Sequence, residues 1–287
     1  MTAENWYKEG NFTSINELDI FFRRKGEGNT LVCIHGFPTS SWDFEPMWEP
    51  LVKQFQVIAH DLIGLGKSAK PQQNLSIRLQ ADIVETLLIQ KGINEAHILA
   101  HDLGDTVAQE LLARQKDNTS KIKWLSCILM NGGIFPETHQ PLLVQKILLS
   151  PLGKYFVYLM TEKTMRKNLN RIFSEEHPPS NEFIEDSWKL VCSNNGKSMI
   201  PKLIYYMVER KTNRERWVQP LIESMVPIRL INGVQDPISG EHAARRFEEV
   251  IPNADVIRIM DAGHYPHVET PNKVLKSIFD FHKEHFG

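Results

Sequence analysis

No stretch of the 287 residues approaches the ~18 to 20 continuous apolar residues needed to cross a bilayer. The first ten residues, Met1 to Gly10, are polar and hold no apolar secretion-signal core. Charge of one sign is lacking too. With 33 Lys and Arg against 35 Asp and Glu, the formal net charge is -2, so no global field draws nucleic acid or an anionic membrane. The basic runs Arg23 to Lys25 and Arg210 to Arg216 have acidic neighbours and read as solvated faces. Cysteine is scarce: Cys33, Cys127 and Cys192 are odd in number and lack metal-ligand spacing. Two of them sit in apolar runs, where a thiol behaves as a small buried hydrophobe. Repeats and low-complexity tracts are missing. These absences lead us to expect a cytoplasmic monomer or homodimer with no membrane span, nucleic-acid partner, metal or cofactor.

What is there is an ordinary globular balance, 41% hydrophobic and 24% charged. Short apolar runs at Leu31 to Ile34, Gln56 to Ala59, His97 to Ala100, Leu125 to Met130, Ile228 to Ile231 and Val256 to Met260 read as buried strands. Between them, Ser76 to Lys91, Asp105 to Lys116, Glu241 to Val250 and Asn272 to His285 carry helical apolar spacing. Such alternation predicts an α/β fold with a mostly parallel sheet covered on both faces. It breaks from about Phe135 to Ser224, where Leu-, Tyr-, Phe- and Trp-rich helical stretches are punctuated by prolines. We read 135–224 as a helical cap inserted into a core formed by 1–134 and 225–287.

The sharpest signal is Ile98-Leu99-Ala100-His101-Asp102-Leu103-Gly104, an apolar strand turning tightly into a helix. A nucleophile elbow strains its central residue and needs small neighbours two before and two after, here Ala100 and Gly104. The blander alternative is that Asp102 only caps the helix. Three other segments weigh against it. Leu31 to Pro38 is a strand ending in His-Gly-Phe-Pro, a turn that aims the Phe37 N–H at the elbow, with the Leu103 N–H as second oxyanion donor. A further strand ends near Asp236, a natural place for a carboxylate that orients a histidine. The last strand runs into Asp261-Ala262-Gly263-His264. His264, directly after that strand, is a better base than His267. His35 and His101 read as structural, and Asp105 as a group favouring the helix dipole.

In these strings, and in Asp61-Leu62-Ile63-Gly64-Leu65-Gly66-Lys67-Ser68, the chain resembles the α/β-hydrolase superfamily over nearly its whole length. It is similar to the aspartate-nucleophile branch of epoxide hydrolases and haloalkane dehalogenases. His101 to Leu111 and Asn131-Gly132-Gly133-Ile134-Phe135-Pro136-Glu137-Thr138-His139 resemble the epoxide-hydrolase-like mesoderm-specific transcript group. The resemblance implies an eight-stranded, mostly parallel sheet with a helical cap and a triad of Asp102, Asp236 and His264.

An aspartate nucleophile narrows the chemistry. Displacement at saturated carbon gives a serine an ether it cannot hydrolyse, but gives a carboxylate an ester that histidine-activated water reopens. The electrophile is then an epoxide or an alkyl halide carried by a small apolar substrate. Similar dehalogenases hold halide with side-chain donors after the nucleophile and after the His-Gly turn, where this chain has Leu103 and Phe37. An epoxide needs an acid for its opening oxygen, which similar hydrolases supply from cap tyrosines. Tyr206 is preferred over Tyr205, because the mesoderm-specific transcript group implies a tyrosine there. Its partner is open between Tyr155 and Tyr158; we assign Tyr155 to catalysis and Tyr158 to the pocket. Phe37, Leu103, Ile134, Phe135 and Tyr205 complete the expected pocket. Hydrolysis of an apolar epoxide to a diol leads, with dehalogenation or a non-catalytic ligand-binding role as alternatives.

Overall fold

The computed structural model describes residues Met1–Gly287. Eight strands form one sheet: β1 (Asn11–Ile15), β2 (Leu18–Lys25), β3 (Thr30–Ile34), β4 (Gln56–His60), β5 (Glu95–His101), β6 (Lys123–Met130), β7 (Ile228–Gly233) and β8 (Asp255–Ile259). Their order is β1-β2-β4-β3-β5-β6-β7-β8. From β4 onward every neighbouring pair is parallel. β3 is buried along its whole length, as expected where helices cover both faces. The four helices expected from apolar spacing form as Ile77–Gln90, Leu103–Lys116, Glu241–Val250 and Pro271–Phe286.

The antiparallel edge, β1 and β2, left no clear mark in the sequence. Most of β1 faces solvent, so its side chains do not alternate apolar with polar. Its hairpin turn places Asn16 and Glu17 at φ 50° and 65°. A two-residue turn with both central residues at positive φ usually announces itself as Asn-Gly; glutamate in the second place hides it.

Between β6 and β7 the chain forms helices and no strand: Leu143–Leu149, Gly153–Leu159, Glu162–Ile172, Asn181–Cys192, Ile200–Leu203, Tyr206–Thr212 and Arg214–Ile222. The last lies against helix Leu103–Lys116, where Trp217 Nε1 donates to Glu110 Oε2 (2.8 Å) and Gln109 Nε2 donates to the Trp217 carbonyl (3.0 Å). Arg216 also pairs with Glu110 at 2.8 Å.

The loop after β4 is fixed by one buried carboxylate. Asp61 accepts from the Ser41 N–H (2.9 Å), the Ser41 hydroxyl (2.6 Å), the Tyr7 hydroxyl (2.8 Å) and the Lys67 N–H (2.7 Å). Gly66 turns here at φ 48°, and a Cβ there would lie 2.1 Å from Asp61 Oδ2. This accounts physically for Asp61 and Gly66: they build the loop beside the His-Gly turn. No helix is long and apolar enough to cross a membrane.

Candidate active site

Strand β5 ends at the centre of the sheet, and the chain reverses there into helix Leu103–Lys116. Asp102, at the reversal, adopts φ 49° and ψ -105° and makes no side-chain bond to the helix it precedes. A non-glycine residue held at positive φ is strained and persists only where its surroundings fix it. Gly104 is one reason the turn closes: a Cβ there would lie 2.1 Å from the Ile34 carbonyl oxygen. Instead of capping, the Asp102 carboxylate accepts the Phe37 N–H on Oδ2 at 3.0 Å. The Leu103 N–H makes no such bond to the carboxylate in this geometry.

His264 Nδ1 lies 2.7 Å from Asp236 Oδ2. Asp236 is held in turn by the Ser239 hydroxyl (2.8 Å), the Asn131 amide (3.1 Å) and the Ile238 N–H (2.8 Å). Asn131, itself at positive φ, bridges β6 to β7 through the Gly233 N–H and carbonyl (2.8 and 3.0 Å). These partners orient the carboxylate, and neither Asn131 nor Ser239 carried a sequence signal separable from an ordinary turn.

Burial opposes charge on His264, but the Asp236 carboxylate, its hydrogen bond and the Asp102 charge outweigh it and raise the imidazole to about 9. Burial likewise opposes charge on Asp236, and His264 overcomes it to hold that carboxyl below its usual range. A raised histidine contributes stability fully below its ordinary value of 6.5 and loses it as pH climbs toward about 9. The melting temperature is therefore expected to fall across that window, and His264→Gln to flatten this part of the profile. A wild-type curve as flat as the variant's would contradict a charged His264–Asp236 pair.

Neighbouring histidines brace the site. His101 Nε2 donates to the His264 carbonyl (2.8 Å). His35 Nδ1 donates to the Gly36 carbonyl (2.8 Å), while its Nε2 accepts the Leu62 N–H (2.9 Å). His267 is fully buried against Phe44 and His101, and burial drives it far toward the neutral form. Glu269 ties the His264 loop to the cap, accepting from the Ser174 (2.8 Å), Gly263 (2.8 Å) and Tyr265 (2.9 Å) N–H groups. Asp105 is fully buried, with Oδ2 unpartnered, and burial pushes its carboxyl well up. It therefore adds less negative charge to the helix start than its position in the sequence promised.

Asp43, His101 and His267 form a buried group whose ligand atoms lie within 4.8 Å of one another. A carboxylate and two imidazoles suit a divalent transition metal. Ligands about 2.0 to 2.1 Å from one zinc would be about 3.3 Å apart, and the Thr39 hydroxyl already donates to Asp43. The fit to an ion is poor.

Asp102 and His264 line one apolar cavity of about 90 Å³ with Phe37, Leu142, Leu148, Met165, Leu169, Ile172 and Ile238. Gln145, Asn168 and Trp188 are among its other walls. Several expected pocket residues are elsewhere. Helix Gly153–Leu159 buries Gly153 and Val157, four residues apart, and this phase turns Tyr155 and Tyr158 outward at 64% and 58% exposure. Tyr205 is also turned out, at 52%. Leu103, Ile134 and Phe135 are buried but pack into the core, Phe135 against Phe247. Tyr206 is not a wall of this cavity; it is buried against Phe37, which is one, with its hydroxyl unpartnered.

Arg210, read from the sequence as part of a solvated basic run, is instead 2% exposed and lies beside Asp102. Its Nε donates to the Thr106 hydroxyl (2.6 Å), and one terminal nitrogen donates to the Asp102 carbonyl (3.2 Å), 4.0 Å from Asp102 Oδ1. Its guanidinium also covers the Tyr206 ring at 4.5 Å.

A family model described as alpha/beta hydrolase fold matches residues 29–271. The chain belongs to the alpha/beta hydrolase fold family. Within it, the chain is 38% identical over 293 residues to the mesoderm-specific transcript homolog protein of Bos taurus, covering 96% of this chain and 87% of that one. This alpha/beta hydrolase shares its fold with the epoxide hydrolase CorEH (TM-score 0.79, 20% identity, 96% of this chain and 98% of that one). It shares it equally with the haloalkane dehalogenase DatA from Agrobacterium tumefaciens C58 (TM-score 0.80, 18% identity, 96% of each chain).

Proposed function

We propose that this alpha/beta hydrolase opens a small apolar epoxide through an ester on Asp102 and releases the diol. The observation that carries it is a carboxylate at a strained elbow, bonded to the Phe37 N–H, in the same apolar cavity as a His264–Asp236 pair. Asp102 Oδ1 attacks a ring carbon, the carbon–oxygen bond breaks, and the opening oxygen takes the Tyr206 proton. Burial and the Asp102 charge push the Tyr206 phenol up, so it waits protonated. Esterification then removes the Asp102 charge that helped to raise His264, and the proton His264 carried at rest passes to the Tyr206 phenolate left by ring opening. Neutral His264 takes a proton from water as the hydroxide adds to the Asp102 carbonyl carbon. The Phe37 N–H, joined by that of Leu103 as the oxygen shifts, holds the oxyanion. Collapse expels the diol alkoxide, which takes the His264 proton. The new Asp102 carboxyl gives its proton to His264, which restores the charged His264 and the Asp102 carboxylate.

A second reading, halide displacement, draws on Asn168 and Trp188, whose N–H groups belong to residues lining the same cavity. Single-turnover kinetics on matched epoxides and haloalkanes separates the two. Tyr206→Phe is expected to slow alkylation by an epoxide about 10- to 1000-fold, since positioned acids contribute ~100- to 10,000-fold. Ester hydrolysis should hardly change, and exposed Tyr205→Phe should do almost nothing. Alkylation only by haloalkanes, with loss on Trp188→Phe and none on Tyr206→Phe, would exchange the epoxide for the halide.

A further inference from the structure

We propose that Arg210 is a positioning residue: it is the fixed counter-cation of Asp102, supplied by the cap. Its part in catalysis rests on the Asp102 ester proposed above. Helix Tyr206–Thr212 carries Arg210 to the elbow, where the residue is 2% exposed. Nε donates to the Thr106 hydroxyl (2.6 Å) and Nη2 to the Asp102 carbonyl (3.2 Å), so the cap holds the backbone of the strained residue itself. The same Nη2 stands 4.0 Å from Asp102 Oδ1. That is too far for a hydrogen bond, which leaves the lone pairs of the oxygen free to attack, yet near enough for strong attraction between buried charges. The chain leaves room for the cation, since a Cβ at Gly133 would lie 2.0 Å from Arg210 Nη1. Nη1 has no hydrogen-bond partner, so the Asp102 charge is what offsets its burial.

Charge balance singles out Arg210. Burial drives the other titratable groups around Asp102 toward their neutral forms: His35, His101 and His139 are lowered, and Asp105, Tyr206 and Tyr265 are raised. His264 and Arg210 then face the carboxylates of Asp102 and Asp236. Glu269, on the His264 loop, is already answered by three backbone N–H groups. Asp236 takes His264, at 2.7 Å, and Asp102 is left with Arg210. A carboxylate in an apolar cavity without a countercharge takes up a proton and ceases to be a nucleophile. Arginine suits the task because it cannot shed its charge, whereas His264 must lose a proton to act as a base. At rest, two carboxylates face two cations. Once Asp102 is esterified and His264 is neutral, Asp236 and Arg210 still balance.

Stability tests the pair without any substrate. Melting temperatures are compared at pH 7 for the wild type, Asp102→Asn, Arg210→Gln and the double variant. Arg210→Gln should cost at least about 3 °C less in the Asp102→Asn background than in the wild type, the mark of coupled groups. Should Arg210→Gln alone fail to fold, the double variant should fold, because neither charge is then left alone. Additive shifts, or a double variant that also fails to fold, would overturn the pair. Single-turnover alkylation by an epoxide that the wild type turns over tests the part in catalysis. At pH 7 Arg210→Gln should alkylate about 10- to 100-fold more slowly, since an opposite charge at this range shifts the protonation of a carboxyl ~10- to 1000-fold. The deficit should shrink toward pH 9, and Arg210→Lys, which keeps the cation, should recover about tenfold of it. No deficit, or one unchanged by pH and by Arg210→Lys, would overturn that part. A wild type that forms no Asp102 adduct would instead sink the ester and leave the melting cycle to decide the pair.

Discussion

Asp102→Ala is expected to abolish turnover, lowering kcat/KM by at least ~10,000-fold, with circular dichroism and cooperative unfolding retained. Losing a covalent nucleophile typically costs up to ~1,000,000-fold, and oxyanion donors alone leave only a small residue of rate. The Phe37 N–H would lose the acceptor it has at 3.0 Å, and Arg210 the carboxylate 4.0 Å away. One buried donor left unpaired costs about 1–3 kcal/mol, within the ~5–15 kcal/mol that a folded domain commands. A lower melting temperature with an intact fold is therefore the expected physical state. Wild-type turnover in a properly folded variant would remove Asp102 from the chemistry.

His264→Gln separates the two half-reactions. Asp102 can still attack, because His264 takes no part in breaking the carbon–oxygen bond of the substrate. Without a base for water, the ester cannot be reopened, and turnover should fall by about 1,000-fold or more. Intact-mass spectrometry should show one substrate-sized adduct per chain, mapping to the peptide that contains Asp102. His267→Gln should leave no adduct, since His267 is buried behind His101, away from the cavity walls. Full turnover by His264→Gln would remove His264 as the base.

The sheet was legible because β3 to β7 are largely buried parallel strands, which makes them near-continuous apolar runs, while the half-buried edge strand β8 keeps Val256, Ile257 and Ile259. β1 was hidden by solvent exposure, and the turn that leads into the buried β2 by Glu17. Asp102, Asp236 and His264 stood out because each follows a strand end, where chain geometry is tightly constrained. Cap residues have no such anchor. In the seven-residue helix Gly153–Leu159, apolar residues occur on more than one side, and only tertiary contact decides that Val157 faces in while Tyr155 and Tyr158 face out. Arg210 was concealed by its basic neighbours. Its burial depends on Thr106 and the Asp102 carbonyl, both over 100 residues away in sequence. The apolar walls from Leu142 to Ile172 are ordinary core residue types, so nothing in their identity distinguishes pocket from packing.

The most direct test of an aspartyl ester is the fate of water oxygen in a single turnover. Enzyme in excess over an epoxide that it turns over is allowed to react once in ¹⁸O-labelled water, and both product and protein are analysed. Water that attacks the carbonyl carbon of the ester must leave its oxygen on the enzyme. The account predicts ¹⁸O in the side chain of Asp102, in the peptide spanning the elbow, and a first-turnover diol free of label. Label in the diol with none in Asp102 would mean that water attacks the substrate itself, which contradicts Asp102 as the nucleophile.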